Sequence, residues 1–273
     1  MEWFEAVILG LVQGLTEFLP VSSSGHLEIG KVLLGVETTD DLMFTTMVHA
    51  ATVLSTIVVF RKQIWNLLKG VFKFKYNDET DYIFKIAVSI IPIMIVGLFF
   101  KDQVEALFGS IKVVGAALVL TSILLFFSDF AAKPGKDVKS ISGARGAIAR
   151  NGISYWQAFV VGLSQSLAVI PGLSRSGTTI STGLICGVRR DVMAQFSFLM
   201  VLVPILGESF LELVGGEFSS SSVGSLPLML GFVSAFVSGL FACKVMIALV
   251  KKARLSWFAV YCLIAAAAIF IFA

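Results

Sequence analysis

Residues 5–36 and 157–188 are two copies of one segment, aligned without a gap at a constant offset of 152. The first copy reads EAVILGLVQGLTEFLPVSSSGHLEIGKVLLGV and the second QAFVVGLSQSLAVIPGLSRSGTTISTGLICGV. Ten of the 32 positions are identical: Ala6/Ala158, Gly10/Gly162, Leu11/Leu163, Gln13/Gln165, Leu15/Leu167, Ser22/Ser174, Ser24/Ser176, Gly25/Gly177, Gly35/Gly187 and Val36/Val188. In each copy two short apolar runs flank a polar break. Residues 3–19 stop at Pro20 and a second run covers 27–35; residues 155–170 stop at Pro171-Gly172 and a second run covers 180–188. A chain with such a duplication is assembled from two equivalent units.

The chain around these copies is strongly apolar. Of 273 residues, 57% are hydrophobic and 14% charged, and Phe outnumbers Tyr 24 to 4. A soluble domain carries about 25% charge. The 21 basic and 18 acidic residues cannot cover the surface of a compact soluble protein this long. A soluble enzyme, a disordered chain and a disulfide scaffold are therefore excluded. A net charge of +3, with basic residues scattered between apolar runs, excludes a nucleic-acid binder. Cys186, Cys243 and Cys262 each lie in an apolar run without CxxC spacing and read as inert helix residues. The N-terminus, with Glu2 and Glu5 and no basic region, is not expected to be a cleaved signal peptide.

A hydrocarbon core of about 30 Å needs roughly 20 helical residues. Six stretches qualify: 42–60, 82–100, 111–130, 191–214, 226–250 and 255–272. The two copied segments do not. Their Gly- and Ser-rich breaks survive at membrane depth only when buried in protein or lining a wet cavity. Each copy is therefore expected to be a re-entrant helical hairpin. Three full spans separate the copies, and three is odd, so the second enters from the opposite face. The expected fold is an all-α polytopic membrane protein with six transmembrane helices and two re-entrant hairpins in an inverted-topology repeat. It forms one membrane domain over 1–273. Repeat one covers about 1–130, repeat two about 153–273, and a basic cytoplasmic loop 131–152 joins them.

Basic residues orient the chain. One face collects 15, including Arg61, Lys62, Lys69, Lys139, Arg189 and Arg190, and the other collects Lys31, Lys101 and Lys112. The positive-inside rule then predicts that both termini are extracytoplasmic. Lys85, Lys244 and Arg175 fall within spans or a break.

The chemistry is concentrated in the breaks. The first runs from Gln13 to His26 and the second from Pro171 to Thr179. Each is a hydroxyl-rich turn leading into a helix N-terminus, whose unpaired N–H groups and partial positive charge suit an anion. Arg175 adds a donor fork matched to phosphate. Two such ends facing each other make a pocket for a multiply charged anion. Candidate phosphate ligands are Ser22, Ser24, Gly25, Ser174, Ser176, Gly177, Thr178 and Thr179; for the serines and threonines the alternative reading is that they simply cap helices. Arg175 can equally form an ion pair with Glu17, and a phosphate could displace that pairing. Glu17 follows Gln13 by four residues, so both share one helix face. A buried carboxylate there can hold a divalent cation, with Gln13 alongside, or act as general base. His26, near Ser23 and Glu17, is a candidate catalytic group. His49 lies mid-span without a polar motif. Glu208 and Glu212 are one turn apart and could line a cavity.

The motifs QGLTE, FLPVSSSGH and PGLSRSGTT resemble those of the undecaprenyl pyrophosphate phosphatase family, the bacitracin-resistance proteins, and the similarity spans essentially the whole chain. The family's first motif begins with an acidic residue or Gln; here it is Gln13, so the carboxylate role falls on Glu17. Family functional residues map onto Glu17, Ser23, His26, Ser174, Arg175 and Thr179. The resemblance implies dephosphorylation of the C55 polyprenyl diphosphate in the bacterial cytoplasmic (inner) membrane. That reaction recycles the lipid carrier for peptidoglycan and confers resistance to bacitracin. It also implies dependence on Mg²⁺ or Ca²⁺. The expected partners are the polyprenyl diphosphate and membrane lipids, and a homodimer is the candidate assembly.

Two rivals are considered. Phosphatidic-acid-type lipid phosphatases require a histidine six residues after the motif arginine, where this chain has Ser181. A polyprenyl-phosphate flippase would need the same anion pocket but neither base nor nucleophile, so Glu17 with His26 favours the enzyme. Three attacking groups fit the sequence: Ser23 activated by His26, His26 itself, and water activated by Glu17. Ser23 is the expected nucleophile, because it lies in the break and aligns with Arg175 at the 152 offset.

Overall fold

The computed structural model describes the chain except residues 37–40, 101–102, 105, 108–109, 132–140, 143–146, 149, 208–222, 253 and 273. Ten α-helices carry the described residues: α1 Trp3–Thr16, α2 Ser23–Leu34, α3 Asp41–Val71, α4 Asp78–Phe99, α5 Ile111–Ala131, α6 Tyr155–Leu167, α7 Arg175–Ile185, α8 Arg190–Met200, α9 Ser225–Lys252 and α10 Ser256–Phe272. Among the described residues, the strands are one antiparallel two-residue pair, Ile141–Ser142 with Ala147–Ile148, inside the expected basic loop.

The repeat is visible helix by helix. α1 and α6 begin at Trp3 and Tyr155, and α2 and α7 at Ser23 and Arg175, each pair 152 apart. The caps repeat as well. The Glu2 N–H donates to Glu5 Oε2 at 2.7 Å, and the Ser154 N–H donates to Gln157 Oε1 at 2.8 Å. Ser22 and Ser174 cap the second helices, their Oγ atoms accepting from the N–H groups of Gly25 and Gly177 at 3.2 and 3.1 Å. Side-chain caps of this kind satisfy N–H groups that the helix leaves unpaired. Gly35 and Gly187, with φ of 68° and 82°, end the hairpins in the left-handed conformation that favours glycine. α2 and α7 therefore start four to five residues before their apolar runs, because the capped hydroxyl-rich turn is already helical.

Each hairpin packs into the other half: α1 lies against α9, and α6 against α4. The identical pair Gly10/Gly162 makes both approaches close. A Cβ on Gly10 would press on the Gly231 carbonyl, and one on Gly162 on the Ser89 carbonyl. Small residues at helix crossings are how membrane helices gain contact without a hydrophobic driving force. α5 and α10 pair along the remaining face.

Five described helices are long and apolar enough to cross a membrane: α3, α4, α5, the segment Arg190–Gly207 that continues α8, and α9. The sixth expected span is α10, with 17 residues. It covers about 26 Å at 1.5 Å per residue, short of the hydrocarbon core. α3 instead runs to 31 residues, far past the expected limit at residue 60, because Arg61, Lys62 and Lys69 ride its polar extension. Phe99, Phe130, Trp257, Ile264 and Phe272 are exposed, an apolar surface suited to lipid. Lys85 is buried and bonds Asp81 at 2.6 Å, which also accepts from the Tyr76 and Tyr155 hydroxyls at the entrance to the second hairpin. The expected cavity-lining pair Glu208 and Glu212 lies outside the described residues.

Candidate active site

The two breaks touch. The Ser176 hydroxyl donates to the Leu19 carbonyl at 3.0 Å. Gly25 faces the Gly172 backbone and Gly177 faces Pro20, so neither position has room for a larger residue without movement. The Thr121 hydroxyl accepts from the Ser174 N–H at 3.0 Å, pinning the second break to α5. Two helix N-termini, those of α2 and α7, are thereby brought to one place.

Glu17 is the hub of the site. It follows the last residue of α1 and is 6% exposed. Its Oε2 accepts from the Gln13 amide at 2.8 Å, one turn back on the same face, and from the Ser23 hydroxyl at 2.6 Å. Its Oε1 is paired with the guanidinium of Arg175, the first residue of α7. A carboxylate buried this deeply needs such partners to remain charged. The expected ion pair thus joins the two repeats directly.

His26 stands apart from that cluster. Its Nδ1 lies 2.7 Å from the Ser22 carbonyl and its Nε2 2.7 Å from the Tyr261 hydroxyl, with the two rings stacked. The expected transfer of the Ser23 proton to His26 is not what the geometry offers: the Ser23 hydroxyl points to Glu17, and both nitrogens of His26 are engaged. The cause is local. Ser22, at φ 69° and ψ 99°, turns its carbonyl onto both the backbone N–H and the ring of His26.

The other hydroxyls hold the frame. Ser22 and Ser174 are caps, with Ser24 and Ser176 beside them at 3.3 and 3.4 Å. Thr179 bonds the Arg175 carbonyl and the Ser197 hydroxyl at 2.9 and 2.7 Å. The Thr178 hydroxyl is buried with no partner among the described residues.

His49 joins the site unexpectedly. Its Nε2 lies 3.9 Å from Glu17 Oε2. The signal was in the sequence: Thr45, His49, Thr52 and Thr56 fall at helical spacing along one face of an apolar span. Thr52 and Thr56 line a cleft with Glu17 and Arg175, walled on its other sides by Phe18, Phe198, Leu202 and Ile205. A charged end beside an apolar wall matches a ligand with an ionic head and a hydrocarbon tail. A larger cavity of 210 Å³, lined by Gln63, Asp78, Tyr82 and Gln195 among others, contains none of the motif residues.

The donor set bears on the expected cation. Among the described residues no group of three His, Cys, Asp or Glu side chains could hold a metal. The Gln13 Oε1 atom, however, is buried without a partner beside Glu17. One carboxylate and one free amide oxygen fit a hard cation whose remaining ligands are phosphate oxygens and water, the usual habit of Mg²⁺.

Comparison with known proteins places the chain in a family. The family model described as Bacitracin resistance protein BacA matches residues 6–268. An undecaprenyl-diphosphatase of Bacteroides fragilis is 53% identical over 268 residues, covering 97% of this chain and 96% of that protein. One from Bacteroides thetaiotaomicron is 51% identical over 275 residues, 99% of both chains, and one from Methanococcus vannielii is 35% identical over 261 residues, 96% of both. The chain, from its paired breaks to its full-length similarity, belongs to the bacitracin resistance protein BacA family.

Proposed function

We infer that this chain is a multi-pass membrane hydrolase that converts undecaprenyl diphosphate to undecaprenyl phosphate and inorganic phosphate. The product is the lipid carrier of peptidoglycan synthesis, and removing the diphosphate takes away the target of bacitracin. The observation that carries the reading is the convergence of Glu17, Ser23 and Arg175 where the two breaks meet.

The chemistry proposed for these residues follows from their contacts. The diphosphate competes with Glu17 for Arg175, whose fork pairs with two phosphate oxygens. The exposed N–H groups of α2 and α7 share the remaining charge. Glu17 keeps its bond from Ser23 and accepts the hydroxyl proton as Ser23 Oγ attacks the terminal phosphorus in line. The bond to the bridging oxygen breaks, and undecaprenyl phosphate leaves. Glu17 returns its proton to the departing phosphate oxygen, then takes one from water as the water attacks the phosphoserine, and hands that proton to Ser23 Oγ as inorganic phosphate leaves. A divalent cation at Glu17 and Gln13 would neutralise phosphate charge in the transition state. His26 orients the turn that carries Ser23. The isoprenoid extends along Phe18, Phe198 and Leu202.

The finer topology is part of the same proposal: six spans counting α10, two re-entrant hairpins, both termini outside, in the bacterial cytoplasmic membrane. The test is phosphate release from the C55 diphosphate by pure protein in detergent, with and without chelator, for wild type and Glu17→Gln. Release by wild type and its loss in Glu17→Gln is expected. Equal rates in the two proteins would remove Glu17 from the mechanism, and no release by wild type would favour a lipid transporter.

A further inference from the structure

We propose that residues 61–75, the end of α3 and the turn after it, form a docking surface for anionic phospholipids. Cations and exposed rings alternate there on one side of a helix that outruns the bilayer.

α3 is longer than the membrane core is thick. It has 31 residues, about 46 Å at 1.5 Å each, against a hydrocarbon core of about 30 Å. Its apolar run ends at Phe60, and Arg61 and Lys62 follow. Residues 61–71 therefore lie at the level of the lipid headgroups.

Helical spacing sorts this extension into two faces. Phe60, Gln63, Ile64, Leu67 and Gly70 turn inward and are buried or half-buried. Arg61, Trp65, Leu68, Lys69 and Phe72 turn outward, and all five are exposed. Leu54, seven residues before Arg61, lies on the same outward face and is exposed at mid-span. The face is thus continuous with surface at acyl-chain depth, where lipid borders the protein. The acids nearest in sequence, Asp78 and Glu79, line the cavity shared with Gln63 and Leu67, on the inward side.

The outward side is purely basic. Residues 61–76 contain Arg61, Lys62, Lys69, Lys73 and Lys75, and no Asp or Glu. All five cations are exposed, and among the described residues none is in an ion pair. The Lys69 ammonium stands 5.2 Å over the Trp65 ring, a cation–π contact of the kind found at membrane interfaces. Phe72 and Phe74 are 72% and 90% exposed. Phe74 has φ of 49°, a left-handed conformation that costs a bulky residue energy. The turn holds it there: the Phe74 N–H donates to the Val71 carbonyl at 2.9 Å, and the Asn77 amide to the Gly70 carbonyl at 2.8 Å. A fixed turn that presents two Phe side chains between lysines serves a surface, not the interior.

An acidic lipid satisfies both kinds of group. Its phosphate accepts from the amines, while the rings and the lysine stems enter the upper acyl region. Each basic residue near such a surface contributes about fivefold in binding. A zwitterionic lipid offers the same chains without the net charge.

Tryptophan quenching measures the preference. Trp3, Trp156 and Trp257 are replaced by Phe, leaving Trp65 as the single tryptophan. The full-length chain is placed in vesicles of phosphatidylglycerol and phosphatidylcholine in equal parts, with bromine on the acyl chains of one lipid or the other. Phosphatidylglycerol should be enriched around Trp65 at least about fivefold over phosphatidylcholine, and added salt should lower the ratio. Replacing Lys62, Lys69, Lys73 and Lys75 together by Gln should bring the ratio close to even, whereas replacing the same four by Arg should preserve it. The Arg variant and the salt series keep the test decisive if the Gln variant does not fold. Equal quenching by the two lipids in wild type would leave the face to a protein partner and overturn the proposal. Enrichment that survives in the folded Gln variant, that is lost in the Arg variant, or that salt leaves unchanged would overturn it too.

Discussion

The Ser23 hydroxyl donates to Oε2 of Glu17 at 2.6 Å, joining the first turn of α2 to the end of α1 across the break. In the proposed mechanism this bond makes the carboxylate, not an imidazole, the group that receives the hydroxyl proton at attack. Glu17→Gln should therefore lower phosphate release by about 10²–10⁴-fold, the usual contribution of a positioned base. Wild type quenched early with radiolabelled diphosphate should carry a label stable to acid and labile to base, as a phosphoserine is. A label with the opposite stability, absent from His26→Ala, would mark a phosphohistidine and end the assignment to Ser23.

Arg175 holds Glu17 in the structure, and in the proposed mechanism it turns to the diphosphate during turnover. Lysine keeps the charge but has no planar fork. Arg175→Lys should lose at least about 10²-fold in kcat, the scale of removing one oriented transition-state donor. Near-normal turnover in a phosphate-release assay would mean that a point charge suffices.

How much of this was readable from the sequence depends on the kind of signal. The hairpins were legible because their identities have local causes: Ser22/Ser174 are caps, Gly35/Gly187 require positive φ, and Gly10/Gly162 permit close crossings. The Gln13–Glu17 pair was legible because four-residue spacing fixes a helix face. The orientation of His26 was not legible because closeness in sequence does not fix where a side chain points, and the backbone of Ser22 turns it toward Tyr261. His49 was passed over because the stripe of Thr45, His49, Thr52 and Thr56 marks a helix face but not what that face meets, and its contact with Glu17 crosses from α3 to the end of α1.

The close crossing of α6 and α4 gives a stability prediction. A methyl group on Gly162 would collide with the Ser89 carbonyl, which is backbone and cannot swing aside. Gly162→Ala should destabilise the protein by about 1–3 kcal/mol, the cost of overpacking. Gly97→Ala, where nothing lies near the added atom, is the control. Thermal unfolding in detergent should separate the two variants, and equal midpoints would refute the close packing.

Orientation rests on the 15 to 3 distribution of basic residues. With Cys186, Cys243 and Cys262 replaced, Glu2→Cys and Ala273→Cys should react with an impermeant thiol reagent in intact cells. Lys139→Cys should not react. Labelling of Lys139→Cys alone would invert the topology.

The Tyr261 hydroxyl distinguishes a structural from a catalytic His26. It bonds His26 Nε2 at 2.7 Å, and the rings stack with centroids 5.5 Å apart. If His26 only braces the turn at Ser22, Tyr261→Phe removes one partly exposed hydrogen bond and keeps the stack. The cost is then about 1 kcal/mol of stability, with kcat reduced less than about tenfold and the pH profile unmoved. If instead His26 exchanges protons during turnover, losing the hydroxyl changes what its Nε2 is bonded to. The pH–rate profile of Tyr261→Phe should then shift along the pH axis relative to wild type. The measurement is kcat against pH for both proteins, beside their unfolding midpoints. A small loss of midpoint with superimposable profiles is expected, and a displaced profile at unchanged stability would return His26 to the chemistry.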